Sequence, residues 1–370
     1  MIKLAGDSIL SGELPIGCRL CRSGLKSVVF ITGICPRNCF YCPLTLPRKG
    51  DVIAVNERII IRSRSGLLKI DEIPREKILE EIRMSGSKGA SITGGDPLAV
   101  IDRTAYAIRL LKEEFGKDFH IHLYTSAPVA SEDVVRKLYE AGLDEIRIHP
   151  VDDKGFELAR IARKYDRRVG FEIPVIPLEY YEKRARKVIE KAIELGLDFV
   201  NLNELEATEA NQPEFLARGL RVRRDSLAAI EGSYELGLKL VEAYSGKISL
   251  HLCTAKAKDA VQFRNRLIRR AHVLAKPYHI VTPDGTRIYA EIRGDIDEVA
   301  KLLELSEVPK ELREIKGDEI HTSVDVAKFL AENYSDVLEG VEIYIVERYP
   351  TADKALMYEE RLLRLRVALK

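Results

Sequence analysis

Tryptophan is absent from this chain of 370 residues, and methionine occurs only three times. A dominant charge of one sign is also missing, because 59 basic and 58 acidic side chains leave a net charge of +1. A nearly neutral chain has no overall attraction for nucleic acid, so such a partner would need a local basic patch. The high share of charged residues, 32%, with few oxidisable ones, resembles the composition of hyperthermophile proteins.

Long apolar runs are lacking as well. No stretch approaches the roughly 18 consecutive apolar residues of a membrane helix, and residues 1–7 show no signal-peptide pattern. We therefore expect a cytoplasmic protein without a membrane partner. The six cysteines are then better explained as metal ligands than as disulfides, because cytosolic thiols are kept reduced. Such ligands also suit an anaerobic, oxygen-poor compartment.

Three of these cysteines, Cys35, Cys39 and Cys42, form a CxxxCxxC triplet directly after the apolar segment 27–31. A cubane iron–sulfur cluster takes one cysteine per iron, so three cysteines leave one iron free to bind another molecule. A zinc knuckle or a structural cluster would normally need a fourth protein ligand within reach. The count therefore favours a [4Fe–4S] cluster with one open, reactive iron.

The triplet, with the aromatic Tyr41 just before its third cysteine, resembles the signature loop of the radical SAM superfamily. A second segment, Gly94-Gly95-Asp96-Pro97, resembles the Gly-Gly-Glu-Pro-like segment that ends the family's second barrel strand, with aspartate in place of the usual glutamate. Residues 17–47 in particular look like an uncharacterised archaeal group related to pyruvate formate-lyase activating enzyme.

The resemblance implies S-adenosylmethionine (SAM) as a second cofactor, chelated to the open iron and with its adenine near Tyr41. One electron from the reduced cluster would cleave SAM into methionine and a 5'-deoxyadenosyl radical, which abstracts hydrogen from a substrate. A donor such as ferredoxin or flavodoxin would supply that electron. Gly94 and Gly95 are expected to let the amino group of SAM approach backbone carbonyls, which side chains would block.

Strand-like and helix-like segments alternate along the chain as in successive βα units. The predicted strands are 27–35, 90–93, 120–125, 145–151, 169–176, 199–204 and 248–252. Helices are predicted between them, for example at 74–85, 103–115, 131–141, 179–195 and 227–245. Parallel strands with helical crossovers predict an α/β fold, a partial (β/α) barrel of the triosephosphate isomerase type. Radical SAM cores have similar partial barrels.

The domain prediction divides the chain into four regions. They are an N-terminal CxxC segment (1–26), a radical SAM core barrel (27–255), a basic helical connector (256–276) and a small α+β domain (277–370). In the last region, turn residues 283–286 predict a hairpin. Helices at 295–305 and 323–333, a strand at 341–347 and a final helix are predicted to follow. We expect this domain to recognise the substrate.

Barrel enzymes place their chemistry at the carboxyl ends of the strands, so polar residues there are candidate SAM or substrate contacts. In the family, the fifth and sixth strands commonly hold ribose and adenine. The candidates are Asp96, Ser126, Arg147, His149, Glu172, Asn203 and Glu204. Each has a structural alternative. Ser126 can cap its turn, Arg147 can pair with Glu172, and Asn203 can join a buried hydrogen-bond network.

The other three cysteines fall into two short pairs of soft ligands. Cys18 and Cys21 form a CxxC, while His251 and Cys253 form an HxC pair at the end of the last predicted barrel strand. Together they can close a tetrahedral zinc site or ligate a second iron–sulfur cluster, and the histidine slightly favours zinc. Alternatively, the CxxC is a redox pair and His251 is a core histidine.

The sequence thus predicts a radical SAM enzyme whose substrate is unidentified. RNA or another macromolecule is a candidate, because a basic helix containing Arg264, Arg266, Arg269 and Arg270 and a further domain follow the barrel. The alternative for these arginines, a solvated and ion-paired surface, is the stronger one, because many acidic residues lie nearby in the sequence. Activation of a glycyl-radical partner protein is the alternative, although such activating enzymes are usually shorter. A hypothesis of another class is a non-catalytic, metal-stapled RNA-binding protein, which would bind no SAM.

Overall fold

The computed structural model describes residues 1–363. The described chain forms two compact units. The first, here called the core unit, comprises residues 1–83 and 87–263, and the second, the C-terminal unit, comprises residues 84–86 and those from 264 onward. Within the described residues, no helix is long and apolar enough to cross a membrane.

The core unit is built on one sheet of eleven strands. They are β1 (Ile2–Lys3), β2 (Ile9–Ser11), β3 (Lys26–Thr32), β4 (Val52–Val55), β5 (Arg58–Arg62), β6 (Gly89–Gly94), β7 (His120–Thr125), β8 (Glu145–Ile148), β9 (Arg168–Val175), β10 (Phe199–Glu204) and β11 (Ser249–Cys253). Their order is β1-β2-β11-β10-β9-β8-β7-β6-β3-β4-β5, and β3 and β6 to β11 run parallel. The sheet is open between β1 and β5, so the predicted α/β partial barrel is confirmed.

Helices connect the parallel strands. They are α1 (Ile16–Arg22), α2 (Arg75–Met84), α3 (Ile101–Phe115), α4 (Glu132–Glu140), α5 (Asp153–Ala162), α6 (Glu179–Glu194), α7 (Gln212–Ala217), α8 (Ser233–Tyr244) and α9 (Ala255–Ala257), after which residues 258–263 form a π-helical turn. Side chains alternate along a strand, so one set packs under these helices while the other faces the barrel interior. On β8, Ile146 and Ile148 belong to the apolar core. Arg147 between them faces the interior.

Two additions extend the sheet beyond the seven predicted strands. The hairpin β4–β5 pairs with β3, and β2 pairs antiparallel with β11, so that Leu250 lies opposite Ser11. The helix α1 lies against the interior face of the barrel. A side chain at Gly17 would fall 2.6 Å from Nδ1 of His122, so this glycine permits the close approach of α1 to the strands.

The C-terminal unit is a small antiparallel sheet with helices. Its strands are β12 (Ile280–Val281), β13 (Arg287–Arg293), β14 (Arg313–Lys316), β15 (Glu319–Thr322), β16 (Glu342–Arg348) and β17 (Leu356–Leu363), and its helices are α10 (Arg264–Leu274), α11 (Ile296–Leu305) and α12 (Val324–Asn333). The main order is β14-β15-β13-β16-β17, and the predicted hairpin is present as β12 and β13.

The predicted final helix of this unit is wrong. Residues 356–363 form β17 instead, which pairs antiparallel with β16. The edge of β16 offers this segment a hydrogen-bond ladder, and that tertiary pairing overrides the local helical preference of its leucine, methionine, glutamate and arginine residues. Residues 364–370 of the predicted domain lie outside the described residues.

Candidate functional site

The CxxxCxxC loop begins just after β3, at the carboxyl end of the parallel strands. Cys35 and Cys39 are half-buried, whereas Cys42 is exposed. The amide of Cys42 donates to the carbonyl of Cys39 at 3.0 Å, which closes a turn between them. Burial raises the pKa of the Cys35 and Cys39 thiols. The three sulfurs are therefore carried by one short loop at the edge where barrel enzymes place their chemistry.

The glycine pair at the end of β6 lies directly against this loop. The amide of Gly95 donates to the carbonyl of Thr32 at 2.7 Å. A Cβ at Gly95 would lie 2.3 Å from the carbonyl oxygen of Ile34, and one at Gly94 would lie 2.2 Å from that of Thr32. The structure thus explains both glycines by the close packing of the cysteine loop, whereas the sequence predicted that they admit a ligand. Without them, the cysteine loop could not occupy its position.

Asp96 and Ser126 join the end of β6 to the end of β7. Asp96 is fully buried, and its Oδ2 accepts from both the amide and the hydroxyl of Ser126, at 2.7 and 2.6 Å. Its Oδ1 accepts from the Thr125 hydroxyl at 2.9 Å and from the Leu98 amide at 3.0 Å. Both carboxylate oxygens are thus engaged within the protein. A contact of either residue with SAM stays a prediction.

Arg37, inside the CxxxCxxC loop, was missed by the sequence reasoning. Its guanidinium donates to Oδ2 of Asp152 at 2.6 Å and to the carbonyls of Ser126 and Ala127 at 3.3 Å. Hydrogen bonding to Arg37 lowers the pKa of Asp152, which also caps α5. Arg37 therefore ties the cysteine loop to the loops after β7 and β8. A basic residue between two cluster cysteines is the signal that could have identified it.

Tyr41 is fixed by a buried histidine. Its hydroxyl lies 2.7 Å from Nε2 of His149, whose Nδ1 lies 3.2 Å from the carbonyl oxygen of Glu172. A carbonyl only accepts, so Nδ1 carries the proton and Nε2 accepts from Tyr41. Burial lowers the pKa of His149 to about 4, which keeps the imidazole neutral. The ring of Tyr41 also packs edge-on against Phe40 at 5.1 Å.

Glu172 is the centre of a polar network inside the barrel. Its Oε2 accepts from Arg147 at 3.0 Å and from Asn201 at 2.9 Å, while its Oε1 accepts from Asn203 at 2.9 Å. Burial favours the neutral acid, but Arg147 and the two carboxamides lower the pKa of Glu172. Arg147 also pairs with Glu145. This is the buried network left open by the sequence, and SAM or substrate contacts by its members stay predictions.

Glu204 has a different environment. Its Oε2 accepts from the amide of Ala255 at 2.8 Å, and its Oε1 lies 3.5 Å from Arg223. Burial raises the pKa of this carboxyl group. In this position Glu204 fastens the start of α9 to the end of β10, and its predicted role in SAM binding stays a prediction.

The remaining soft ligands are brought together as the sequence predicted. Cys18, Cys21, His251 and Cys253 line one cavity of about 200 Å³ inside the core unit. Lys26, Tyr124, Arg147, Glu172, Asn201, Asn203, Lys258 and Gln262 complete its wall. The sequence placed Lys258 in a basic surface cluster and did not single out Lys26 or Gln262, because local sequence does not show which side chains face a shared cavity.

Sequence comparison reveals the family. Residues 29–202 match the Radical SAM superfamily. A Methanocaldococcus jannaschii protein, provisionally named a glycyl-radical enzyme activating enzyme, is 38% identical over 366 residues, covering 92% of this chain and 91% of that protein. This chain belongs to the radical SAM superfamily. Residues 285–358 match a second family, described as a domain of unknown function, DUF8061.

Solved structures give weaker likenesses to this radical SAM protein. Streptococcus suis SuiB bound to S-adenosylmethionine has a TM-score of 0.42 and 14% identity, covering 62% of this chain and 50% of SuiB. Methylornithine synthase has a TM-score of 0.41 and 13% identity, covering 64% of this chain and 72% of that chain.

The family makes this protein an enzyme and implies a [4Fe–4S] cluster and SAM as its cofactors. The spacing of Cys35, Cys39 and Cys42 fits such a cluster. Among the described residues, the set found with three potential ligand atoms within 4.8 Å of one another is Glu291, Glu319 and His321. The three sulfurs of the triplet therefore do not all lie within 4.8 Å of one another, whereas thiolates on one zinc ion, with Zn–S bonds of about 2.3 Å, lie roughly 3.8 Å apart.

Proposed function

We propose that this protein cleaves SAM reductively at a cluster held by Cys35, Cys39 and Cys42, and abstracts hydrogen from a glycine residue of a partner protein. The observation that carries the first part is the fixed loop of three cysteines, and no more than three, at the carboxyl edge of the parallel strands. With SAM on its open iron, a reduced [4Fe–4S] cluster supplies the electron that yields methionine and a 5'-deoxyadenosyl radical.

The residues of this chain have positioning roles in that reaction. Arg37 and the Gly94-Gly95 pair hold the loop against the ends of β6 and β7, which keeps the sulfurs in place while SAM binds and leaves. The neutral imidazole of His149 orients the Tyr41 hydroxyl, so the tyrosine ring has a fixed position beside Cys42. Fixed ligands reduce the reorganisation needed when SAM arrives.

The choice of a protein glycine rests on the relative from Methanocaldococcus jannaschii, whose similarity extends over 92% of this chain and thus beyond the barrel. The basic helix α10 supports RNA less well than the sequence indicated. Arg270 is 3% exposed, and Arg264 lies 3.2 Å from Asp284. Arg270 is therefore buried, and Arg264, although exposed, is paired with an acidic side chain.

The first experiment tests SAM cleavage. The protein is reconstituted anaerobically with iron and sulfide, reduced with dithionite and given SAM, and 5'-deoxyadenosine and methionine are quantified by mass spectrometry. We expect both products from the wild type and neither from Cys39→Ala, which should also lose this cluster. Full cluster content and turnover in Cys39→Ala would refute the assignment of the triplet.

The second experiment tests the target. Proteins from cells grown on glycine deuterated at Cα, and RNA from cells grown in heavy water, are supplied separately to the reduced enzyme with SAM. We expect deuterium in 5'-deoxyadenosine from the protein fraction alone. Deuterium from the RNA fraction alone would refute the glycine target and support RNA. The same product assay without label reports cleavage itself, so the two parts of the proposal fail separately.

A further inference from the structure

We propose that the barrel interior binds a second iron–sulfur cluster, ligated by Cys18, Cys21, His251 and Cys253. Nothing in the family comparison assigns a ligand to these residues. The inference is independent of the proposed SAM chemistry, because it concerns a separate set of side chains in the core unit. It follows from the convergence of these ligands, the state of the histidine, the donors around the sulfurs and the spacing of the set.

Two elements remote in sequence bring the ligands together. Cys18 and Cys21 lie three residues apart on α1, so both fall on the same face of that helix. His251 and Cys253 lie two apart on β11, so both point into the barrel. All four line the same cavity. Antiparallel pairing of β2 with β11 places the chain just before α1 beside that last strand.

The state of His251 points to a missing ligand. Its side chain is buried, with 2% exposure, and neither ring nitrogen has a hydrogen-bond partner among residues 1–363. A buried imidazole with two unpartnered nitrogens is costly unless another group binds it. His122, another buried histidine of the interior, differs because its Nε2 lies 3.3 Å from the Tyr124 hydroxyl. His251 thus presents a free nitrogen to the cavity that the three cysteines line.

Two of the three sulfurs, those of Cys18 and Cys253, face N–H donors that suit bound thiolates. Arg147 and Asn201 each place a side-chain nitrogen 3.3 Å from Sγ of Cys18. Gln262 donates to Sγ of Cys253 at 3.2 Å, and its carbonyl oxygen accepts from Cys21 at 2.8 Å. N–H bonds to cluster sulfurs stabilise the negative charge of the cluster and adjust its potential.

Cations reinforce this preference for a negatively charged occupant. Lys26, Lys258 and Arg147 all contribute to the cavity wall. Lys258 is paired with Glu206, and Arg147 is paired with Glu172 and Glu145. These acidic partners balance part of the positive charge, so the wall is not simply a site for a free anion. Three thiolates closing on one cluster would add negative charge close to these groups, where a low dielectric strengthens the attraction.

Spacing and volume favour a cluster over the zinc ion that the sequence slightly favoured. Among the described residues, no three of these four ligand atoms lie within 4.8 Å of one another. The same is true of Cys35, Cys39 and Cys42, for which the family implies a [4Fe–4S] cluster. The cavity of about 200 Å³ is far larger than the roughly 10–15 Å³ that one water molecule needs, so it has more room than one ion requires.

The compact set Glu291, Glu319 and His321 in the C-terminal unit is a weaker candidate. Glu291 accepts from Arg348 at 2.8 and 3.1 Å and from Arg293 at 2.7 Å. Two arginines already neutralise this carboxylate, and a divalent cation would have to displace them. The ligand set in the core unit has no comparable competitor for its histidine.

The test uses the full chain, reconstituted anaerobically with iron and sulfide and supplied with equimolar zinc. Iron, acid-labile sulfide and zinc are quantified. We expect about eight irons per chain in the wild type and about four when Cys35, Cys39 and Cys42 are all changed to alanine, since each cubane holds four. Changing Cys18, Cys21 and Cys253 to alanine should also leave about four. Retention of that first cluster shows that this variant is folded.

Two results would overturn the proposal. One is an iron content of about four in the wild type that falls to zero in the variant lacking the Cys35 triplet. The other is one zinc per chain that is lost when Cys18, Cys21 and Cys253 are replaced. Iron and zinc are measured on the same samples. A wild-type sample that lacks the cluster of Cys35, Cys39 and Cys42 is recognised as a failed reconstitution.

The histidine ligand is tested in the background that lacks Cys35, Cys39 and Cys42. There, His251→Cys should retain the iron but change the electron paramagnetic resonance spectrum of the reduced cluster, because the ligand changes from nitrogen to sulfur. His122→Gln is the matched control and should leave the spectrum unchanged. An identical spectrum in His251→Cys and its parent would refute ligation by His251.

Discussion

Replacing Arg103 with methionine tests whether a buried ion pair supports the cysteine loop. The Arg103 guanidinium meets Asp51 through two parallel bonds, of 2.5 and 2.7 Å, and the side chains are 4% and 1% exposed. Asp51 also accepts from the Thr32 hydroxyl at 3.0 Å, three residues before Cys35. Methionine keeps much of the volume of arginine but leaves the carboxylate buried without its cation.

The expected cost follows from this burial. Removing one partner of a buried, hydrogen-bonded ion pair costs about 3–5 kcal/mol of unfolding free energy. For a unit of this size, that lowers Tm by about 6–10 °C. Thermal unfolding followed by far-ultraviolet circular dichroism measures it. The control is Arg136→Met, whose pair with Asp133 is 55% and 82% exposed and should be worth under about 0.5 kcal/mol.

The pH dependence of stability gives a second test of the Arg103–Asp51 pair. Although burial opposes ionisation, Arg103, the Leu68 amide and the Thr32 hydroxyl lower the pKa of Asp51 below its ordinary value. Its contribution to stability is thus complete above the unfolded-state pKa of about 3.9 and is lost as pH falls through the lower native value. Arg103→Met should weaken this acid-dependent loss. A Tm change no larger than that of Arg136→Met would refute the reasoning.

Further predictions concern the site itself. Gly95→Ala places a Cβ 2.3 Å from the Ile34 carbonyl oxygen. In the background that lacks Cys18, Cys21 and Cys253, it should therefore reduce reconstituted iron severalfold, and unchanged iron content there would contradict the role of the glycine. His149 should stay neutral down to about pH 4 in an NMR titration. Because the unfolded chain binds that proton near pH 6.5, the free energy of unfolding should decrease as the pH is lowered from about 6.5 to about 4. Tyr41→Phe should cost about 1 kcal/mol in denaturant unfolding, and no loss would contradict the Tyr41–His149 bond.

The fold was largely readable from local pattern. Apolar residues such as Ile146 and Ile148 flank a polar one on β8, and similar short runs mark each of the seven parallel strands. The β4–β5 hairpin was not predicted, because Val52–Val55 is a short, fully buried segment whose apolar run does not distinguish a strand from a buried helix segment. The strand β17 was predicted as a helix, since its partner β16 is a tertiary feature.

The sequence proposed the candidate ligands of the site but could not give their contacts. Motif spacing identified the cysteines and Gly95, since those residue types at those positions are distinctive. Sequence could not decide whether Ser126 binds SAM or caps a turn. The answer depends on the distance between Ser126 and Asp96, which follow two different strands. Arg37 was missed for the same reason. Its partner Asp152 is 115 residues away in the chain.

The pairing of β2 with β11 affects how the chain folds during its synthesis on the ribosome. Residues 9–11 are made early, but their strand partner at 250–252 emerges only after the other core strands. Contacts of such long sequence separation are slow to form. The helix α1, with Cys18 and Cys21, can therefore contact His251 and Cys253 only after nearly the whole barrel has been synthesised. A partly synthesised chain cannot assemble that interior set of ligands, so loading of the proposed second cluster would be coupled to completion of the core.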